Sequence, residues 1–226
     1  MTDTNKATRV AGSWLAIASL LMVVTFVFHG PIDPNPFDQM QSIAAGVIRW
    51  SAVHWIAAVA LSLFMVTSLL VLTAGSRLTE GWWTMTAWAM LLVGALWTLT
   101  TAVVEATVVA NAAVSGNRET FQAWWGFAEG NATGFTFVAL AIAGIAGNEI
   151  QSSKRVVPVW SAWIAMIAGL ASFAGWAIGM WFGISLGNLL WLVSSLLMSL
   201  WTLWFGAALM RSEANVVTVK KVPSLT

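Results

Sequence analysis

Long apolar segments recur six times along this chain, and they constrain its fold more than any other feature of the sequence. A helix needs about 20 consecutive, mostly apolar residues to cross the hydrocarbon core of a bilayer. Charged residues make up only 8% of the chain, whereas a soluble domain carries about a quarter. The sequence therefore predicts an all-α fold, a polytopic integral membrane bundle of six transmembrane helices.

Hydropathy and chain-breaking residues divide the sequence into six spans joined mostly by short connections. The connection between the first two spans is the longest, and within it Phe37, Met40 and Ile43 recur at helical spacing. That spacing predicts a short interfacial helix lying on the membrane. No connection can hold a soluble domain, so we expect a single membrane domain over residues 1–226. The predicted spans are 10–29, 50–72, 82–111, 121–147, 157–181 and 186–210.

The ten lysines and arginines are distributed unevenly between the two ends of these spans. Arg49 and Arg118 fall at one end, and the other eight fall at the opposite end. Because cytoplasmic loops carry an excess of Lys and Arg, we predict a protein of the cell (plasma or inner) membrane with both termini in the cytoplasm. The eight residues predicted to be cytoplasmic are Lys6, Arg9, Arg77, Lys154, Arg155, Arg211, Lys220 and Lys221.

Tryptophan is abundant, with sixteen residues in the chain. Tryptophans collect at membrane–water interfaces, where one part of the ring is apolar and its N–H is wet. We therefore expect an aromatic belt rather than residues that stack on a ligand. The tryptophans predicted at the outer interface are Trp50, Trp55, Trp124, Trp125, Trp181 and Trp191.

Small residues and the absence of proline indicate how the spans pack. Helices in lipid associate where small residues let their backbones approach closely. Two glycine stripes therefore predict close contacts, either with each other or with another chain. The expected partners are the lipid bilayer and, through the stripes, other membrane subunits or a second copy. No proline interrupts a span, so we expect continuous helices. The stripes are Gly126, Gly130 and Gly134 in the fourth span and Ala171, Gly175, Gly179 and Gly183 in the fifth.

Two histidines and two glutamates lie inside these spans or at their ends. Counting about 20 residues per crossing puts His54, Glu105 and Glu129 at one depth near the outer interface, where His29 ends the first span. Neighbours at helical spacing are small or polar, so these side chains should face other helices. Ionisable residues within membrane spans are costly and usually functional. We therefore predict a shared polar cavity near the outer face.

The residue types in this cavity are compatible with several chemistries. Two imidazoles and two carboxylates are ligands for zinc, iron, manganese or copper, and in that case His29, His54, Glu105 and Glu129 hold the metal. Alternatively, His29 and His54 ligate a haem between the first two spans, and Glu105 and Glu129 are the candidate catalytic groups for proton transfer. Ion pairing of Arg49 with Glu105 or Glu129 explains the same residues without any ligand.

Three functions are compatible with these patterns, because a helix-bundle shape alone does not choose among them. The first is an enzyme or redox protein that uses the His/Glu cavity as an outward-facing site for redox or proton chemistry. The second is a structural or accessory subunit that contacts helices, lipids or pigments in a larger complex. The third is a small cation or proton transporter or channel subunit. Thiolate metal sites are excluded because the chain has no cysteine, and its near-zero net charge provides no basic face for nucleic acid.

Orientation can be tested by cysteine labelling, since the natural chain has no cysteine. With both termini in the cytoplasm, Ser115→Cys should react with a membrane-impermeant thiol reagent in intact cells. Ser152→Cys should react only after the cells are opened. Reaction of Ser152→Cys in intact cells would reverse the orientation.

Overall fold

A computed structural model describes residues 3–30, 32–33 and 35–211. These residues are almost entirely helical, and the predicted all-α membrane bundle is confirmed. The α-helices are α1 (Asp3–His29), α2 (Pro36–Ala45), α3 (Val47–Ala74), α4 (Trp82–Val104), α5 (Ala110–Ser115), α6 (Arg118–Ala132), α7 (Gly134–Gln151), α8 (Val159–Trp176) and α9 (Ser185–Arg211). The six stretches long and apolar enough to cross a membrane are Thr4–His29, Val47–Ala74, Trp82–Ser115, Arg118–Gln151, Val159–Trp181 and Ser185–Arg211.

The six spans form a closed ring in which each packs against its neighbours in sequence. α1 lies between α3 and α9, α4 lies between α3 and α7, and α8 lies between α7 and α9. Arg9 Nε donates a hydrogen bond to the carbonyl oxygen of Met210 at 2.9 Å, which joins the first span to the last. Leu15, Leu91 and Phe205 are among the apolar side chains buried inside this ring. The ring therefore has an interior in which a polar group from any span can meet the others.

Glycines stand at four of the contacts around the ring. A Cβ added to Gly94 of α4 would lie 2.8 Å from the carbonyl oxygen of Gly134 in α7. Real Cβ atoms do not approach backbone so closely, so only glycine permits this helix separation. The glycines in such contacts are Gly12 and Gly206 between α1 and α9, Gly94 and Gly134 between α4 and α7, Gly169 between α8 and α7, and Gly175, Gly179 and Gly187 between the fifth and sixth spans.

The two predicted glycine stripes do not contact each other. Gly134 faces α4, and Gly175 faces α9. Gly126 and Gly130 have no atom within 4 Å of the place where a Cβ would stand. Close packing of these two glycines against another helix of the described chain is therefore wrong, and contact with another chain stays a prediction. Gly183 is also open, and its φ of 69° puts it in a left-handed turn before α9.

Three irregularities interrupt spans that the absence of proline predicted to be continuous. Residues Glu105–Val109 and Ala177–Trp181 are π-helical, and Thr133 separates α6 from α7. Each of these spans still runs as one stretch, over Trp82–Ser115, Arg118–Gln151 and Val159–Trp181, but none of the three is a regular α-helix throughout. Single-turn π segments accommodate an extra residue inside a helix and occur frequently at functional sites.

α2 is the short helix expected between the first two spans. The side-chain oxygen of Asn35 accepts a hydrogen bond from the Phe37 N–H at 3.0 Å, and Pro36 occupies the first turn, where its missing N–H costs nothing. Met40 and Ile43 are buried against α3, α5 and α6.

We call this end of the ring the α2 end, and the opposite end the Arg77 end. Of the eight residues predicted to be cytoplasmic, Lys220 and Lys221 lie outside the described residues.

Glycine substitutions test the ring contacts. Gly94→Leu should lower the free energy of unfolding by at least about 1–3 kcal/mol, the usual cost of overpacking a tight contact. Gly126→Leu on open α6 is the matched control and should be neutral or stabilising, because leucine favours helix by roughly 1 kcal/mol over glycine. Thermal unfolding in detergent measures both. Equal stability of the two variants would contradict the close approach of α4 to α7.

Candidate functional site

Three of the four predicted site residues meet near the α2 end. One ligand-type atom from each of His29, His54 and Glu105 lies within 4.8 Å of the other two. His54 Nε2 is 2.5 Å from Glu105 Oε2. His54 and Glu105 are only 4% and 8% exposed, and His29 is half-buried. The first, second and third spans thus each supply one side chain to a single buried group.

Each histidine is held by a hydrogen bond from its Nδ1 atom to a backbone carbonyl. His54 Nδ1 lies 2.8 Å from the Trp50 carbonyl oxygen, one helical turn earlier. His29 Nδ1 lies 3.0 Å from the carbonyl oxygen of Gly30, just after α1 ends. A carbonyl oxygen only accepts, so each Nδ1 must carry the hydrogen. Both Nε2 atoms are therefore the ones available to a ligand.

The short contact between His54 and Glu105 needs a proton or a metal ion between the two side chains. With Nδ1 already protonated, the neutral form of His54 presents a lone pair on Nε2. A lone pair and a carboxylate oxygen at 2.5 Å repel each other unless a cation joins them. A proton between the two atoms removes this repulsion, either on Nε2 as an ion pair or on Glu105 as a hydrogen bond from a neutral carboxyl to Nε2. A metal ion bound by both atoms would also remove it, but only after the two atoms move apart.

Glu105 begins the π-helical segment of the third span. Its backbone carbonyl oxygen accepts a hydrogen bond from the Trp50 indole Nε1 at 3.2 Å. Because α3 also carries His54, one turn of α3 holds both the backbone and the side chain of Glu105. The π segment therefore places a carboxylate where α3 can fix it from two directions.

Two tryptophans predicted to form the outer belt instead enclose the site. Trp50 and Trp125 are 5% and 6% exposed, and their ring centroids are 6.3 Å apart. The Trp50 ring centroid is 4.3 Å from that of His54 and 5.1 Å from that of His29. The belt interpretation is therefore wrong for these two residues and for the half-buried Trp191, which lines the cavity, whereas Trp55, Trp124 and Trp181 are exposed as expected.

Glu129, the fourth predicted residue, lies outside the three-residue group. It is exposed on α6, and its Oε1 accepts a hydrogen bond from the Trp125 indole at 2.8 Å. It does line the cavity that also contains His29, His54 and Glu105. Glu105 is paired with His54 rather than with Arg49, and in the described part of the chain no ion pair forms between an arginine and Glu129.

The site opens into a cavity of about 100 Å³ in the interior of the ring. One water needs roughly 10–15 Å³ when volume is measured in this way, so the cavity has room for several waters or one small organic group. Its polar lining includes His29, His54, Glu105 and Glu129, together with three threonines. Most of the remaining wall is apolar and aromatic, from Met22, Phe26, Leu61, Phe135, Trp176 and Trp191.

A haem does not fit between the two histidines. Their ring centroids are 5.1 Å apart and the rings meet edge to face, which leaves no gap for a flat macrocycle between them. The cavity volume of about 100 Å³ is also below the roughly 300–1,000 Å³ of pockets for drug-sized ligands. The geometry therefore disfavours the haem hypothesis, while the three grouped ligand atoms remain compatible with a single metal ion.

The sequence interpretation missed a second buried carboxylate at the Arg77 end. Glu149 is 1% exposed, and its Oε1 accepts a hydrogen bond from Arg77 Nη1 at 2.8 Å. Its Oε2 accepts one from the Val156 N–H at 2.9 Å. This pair ties the loop after α3 to the end of α7. The signal that could have identified it is a lone carboxylate at a span end opposite a lone arginine.

No protein-family model, no curated protein and no solved structure matches this chain. Its function is therefore argued from the site alone.

The role of Trp50 in holding Glu105 can be tested by Trp50→Phe. This change keeps an aromatic ring but removes the indole N–H that bonds to the Glu105 carbonyl. Unfolding free energy should fall by about 0.5–1.5 kcal/mol, the net worth of one hydrogen bond. The control is Trp55→Phe, an exposed tryptophan on the same helix, which should stay within about 0.5 kcal/mol. Equal effects of the two changes would mean that the hydrogen bond contributes nothing.

Proposed function

We propose that this protein is a membrane-embedded metalloenzyme in which His29, His54 and Glu105 bind one divalent first-row transition metal ion. The observation that carries the proposal is the convergence of three ligand atoms within 4.8 Å of one another, inside a bundle that has very few ionisable groups. Two histidines and one carboxylate are a ligand set used by catalytic zinc sites and by non-haem iron oxygenases.

The hydrogen bonds around the histidines support this proposal. Metal-binding histidines nearly always donate the second ring N–H to a carbonyl or carboxylate, which fixes the ring and the tautomer. His29 and His54 both do so, to the carbonyls of Gly30 and Trp50. An ion pair with Glu105 would need only one such histidine, so the second prepared imidazole favours a metal ion.

The distances require modest rearrangement when a metal ion binds. Ligands at about 2.1 Å from a tetrahedral metal lie roughly 3.4 Å from one another. His54 and Glu105 must therefore separate from 2.5 Å, and His29 must move inward. The proposal therefore requires the Glu105 side chain to rotate toward the cavity and the His29 side chain to rotate at the end of α1.

The site has the open character of a catalytic centre rather than a closed structural one. Structural zinc sites use four protein ligands, whereas catalytic sites use three and leave one position for substrate. The fourth direction here is the cavity. A bound metal ion would polarise a substrate oxygen. Glu129, held by Trp125 at 2.8 Å on the same cavity, is placed to accept a proton there.

Metal binding to the purified protein tests the proposal directly. The full chain in detergent should bind one equivalent of Zn²⁺ or Co²⁺, and unfolding should shift by about 2.7 kcal/mol at a metal concentration one hundred times Kd. His29→Ala, His54→Ala and Glu105→Ala should each weaken binding by more than the roughly 10–100-fold lost with an outer-shell partner.

Two controls on α6 separate the ligands from nearby carboxylates. Glu119→Ala removes an exposed glutamate that does not line the cavity and should change nothing. Glu129→Ala should retain one equivalent of metal, because Glu129 lies outside the ligand group. If wild type shows no stoichiometric metal and no metal-dependent stabilisation, the proposal is wrong and the His54–Glu105 contact is an ion pair.

A further inference from the structure

α6 stands apart from the helices that follow it in the ring. It packs against α2, α4, α5 and the π segment Glu105–Val109, while α7 alone carries the contact of this span with α8. α6 has no substantial contact with α8 or α9. Along α7, the fourth span therefore completes the ring by contacting α8. Along α6, the same span leaves a gap in the ring.

Several of the exposed residues on α6 are small or polar. Glu129, Gly126 and Gly130 are exposed there, and a Cβ on either glycine would meet no atom within 4 Å. Trp125, Glu129 and Ala132 of α6 line the cavity, as does Met180 of the π segment that ends the fifth span. The gap beside α6 therefore lies at the level of the cavity.

Aromatic rings stand between the cavity and α2. Trp50 and Trp125 form this wall, and behind them Met40 and Ile43 of α2 pack against Phe121 in one buried cluster. A molecule arriving from the water beyond α2 would have to displace this cluster. From the side, Ala132 and Met180 line the cavity on two elements that make no substantial contact with each other, so a molecule arriving between them would not have to displace that cluster.

The volume and lining limit what can enter. A dry apolar cavity of roughly 150 Å³ holds a benzene molecule, so about 100 Å³ holds a smaller group, such as the end of a chain. The wall beyond the polar residues is formed by Phe26, Phe135, Trp176 and Trp191. A ligand longer than the cavity must therefore have an apolar chain. The part of that chain that does not fit in the cavity must lie in the gap beside α6.

Charge favours an uncharged polar end. A divalent metal ion together with the carboxylates of Glu105 and Glu129 sums to zero charge, and no lysine or arginine is among the described residues that line the cavity. An additional anion would lose its hydration in a poorly solvated site without finding a net opposite charge. An alcohol, aldehyde or ester oxygen can approach the metal without that cost.

We propose that the substrate is a neutral, single-chain amphiphile that enters from the lipid between α6 and the end of the fifth span, with its oxygen-bearing end directed at the His29, His54 and Glu105 group. This inference rests on the proposed metal function. It adds the chemical class of the substrate and the route by which the substrate reaches the metal site.

The test uses the full-length protein in lipid nanodiscs, loaded with Co²⁺, whose visible absorption bands change when a new ligand coordinates. Decanol should shift these bands in a saturable manner. Decanoate has the same chain with an anionic end, and ethanol has the same end without the chain, so neither should shift the bands at tenfold higher concentration. Ala132→Phe should weaken the decanol response by roughly tenfold or more, since an apolar pocket can discriminate tenfold or more over a single methylene.

The control for this substitution is Ala123→Phe, an exposed position on α6 that does not line the cavity. It should respond to decanol as wild type does, and both variants should bind the same amount of Co²⁺. If Ala132→Phe does not fold, Met180→Trp fills the gap from the opposite side and should have the same effect.

The outcomes separate this inference from the metal function. If Co²⁺ does not bind, both the proposed metal function and the inferred substrate and route are wrong. If Co²⁺ binds but decanol has no effect, or decanoate or ethanol acts equally well, the metal function stands and the lipid-phase substrate is wrong. Unchanged decanol binding in Ala132→Phe and Met180→Trp would overturn the side route. A dimer in nanodiscs that Ala132→Phe dissociates would show that a second copy covers the gap, which also overturns it.

Discussion

Close backbone approach between neighbouring helices is the constraint on which the rest of this structure depends. Lipid is as apolar as the side chains, so helices gain little from the hydrophobic effect when they meet. Glycines bring α1 to α9, α4 to α7, and α8 to both of its neighbours. Hydroxyl groups add links, as between Ser172 and Ser195 at 2.8 Å. The tight contacts hold the ring without a central helix, and the space left inside becomes a cavity.

Regular α-helical geometry ends in three of the spans near the site. The third span changes to a π segment at Glu105, the fourth breaks at Thr133, and the fifth changes to a π segment at Ala177. An extra residue in a turn rotates the following residues about the helix axis, so such segments re-aim side chains that a regular helix would send elsewhere. The distortions thus coincide with the cavity and with the part of α6 that the ring leaves uncovered.

Much of the fold could be predicted because long apolar segments have few alternatives in a membrane. Depth was also predictable, since counting residues from a span end brought His54 and Glu105 to one level, and the structure joins them. Direction was not. Trp50 lies at interfacial depth whether its ring faces lipid or His54, and residue counting cannot distinguish these cases. The contacts of Gly12 and Gly94 were missed because each is a single glycine whose partner lies far along the chain. Glu129 was grouped with Glu105, and it does line the same cavity, but its carboxylate is bonded to the Trp125 indole and lies outside the three-residue group.

The two most deeply buried carboxylates among the described residues, Glu149 and Glu105, differ in how completely their oxygens are bonded. Glu149 uses both oxygens, one toward Arg77 Nη1 and one toward the Val156 N–H, and its role is complete in holding two connections together. Glu105 has one side-chain partner among the described residues, His54, and it borders a cavity. A buried carboxylate needed only for stability would gain from further hydrogen bonds, because an incompletely bonded charge is costly in an apolar interior. The chain instead surrounds Glu105 with two histidines whose outer nitrogens are already fixed by backbone carbonyls. Glu105 therefore keeps bonding capacity that Glu149 has already used, and this difference is what the proposed metal function uses.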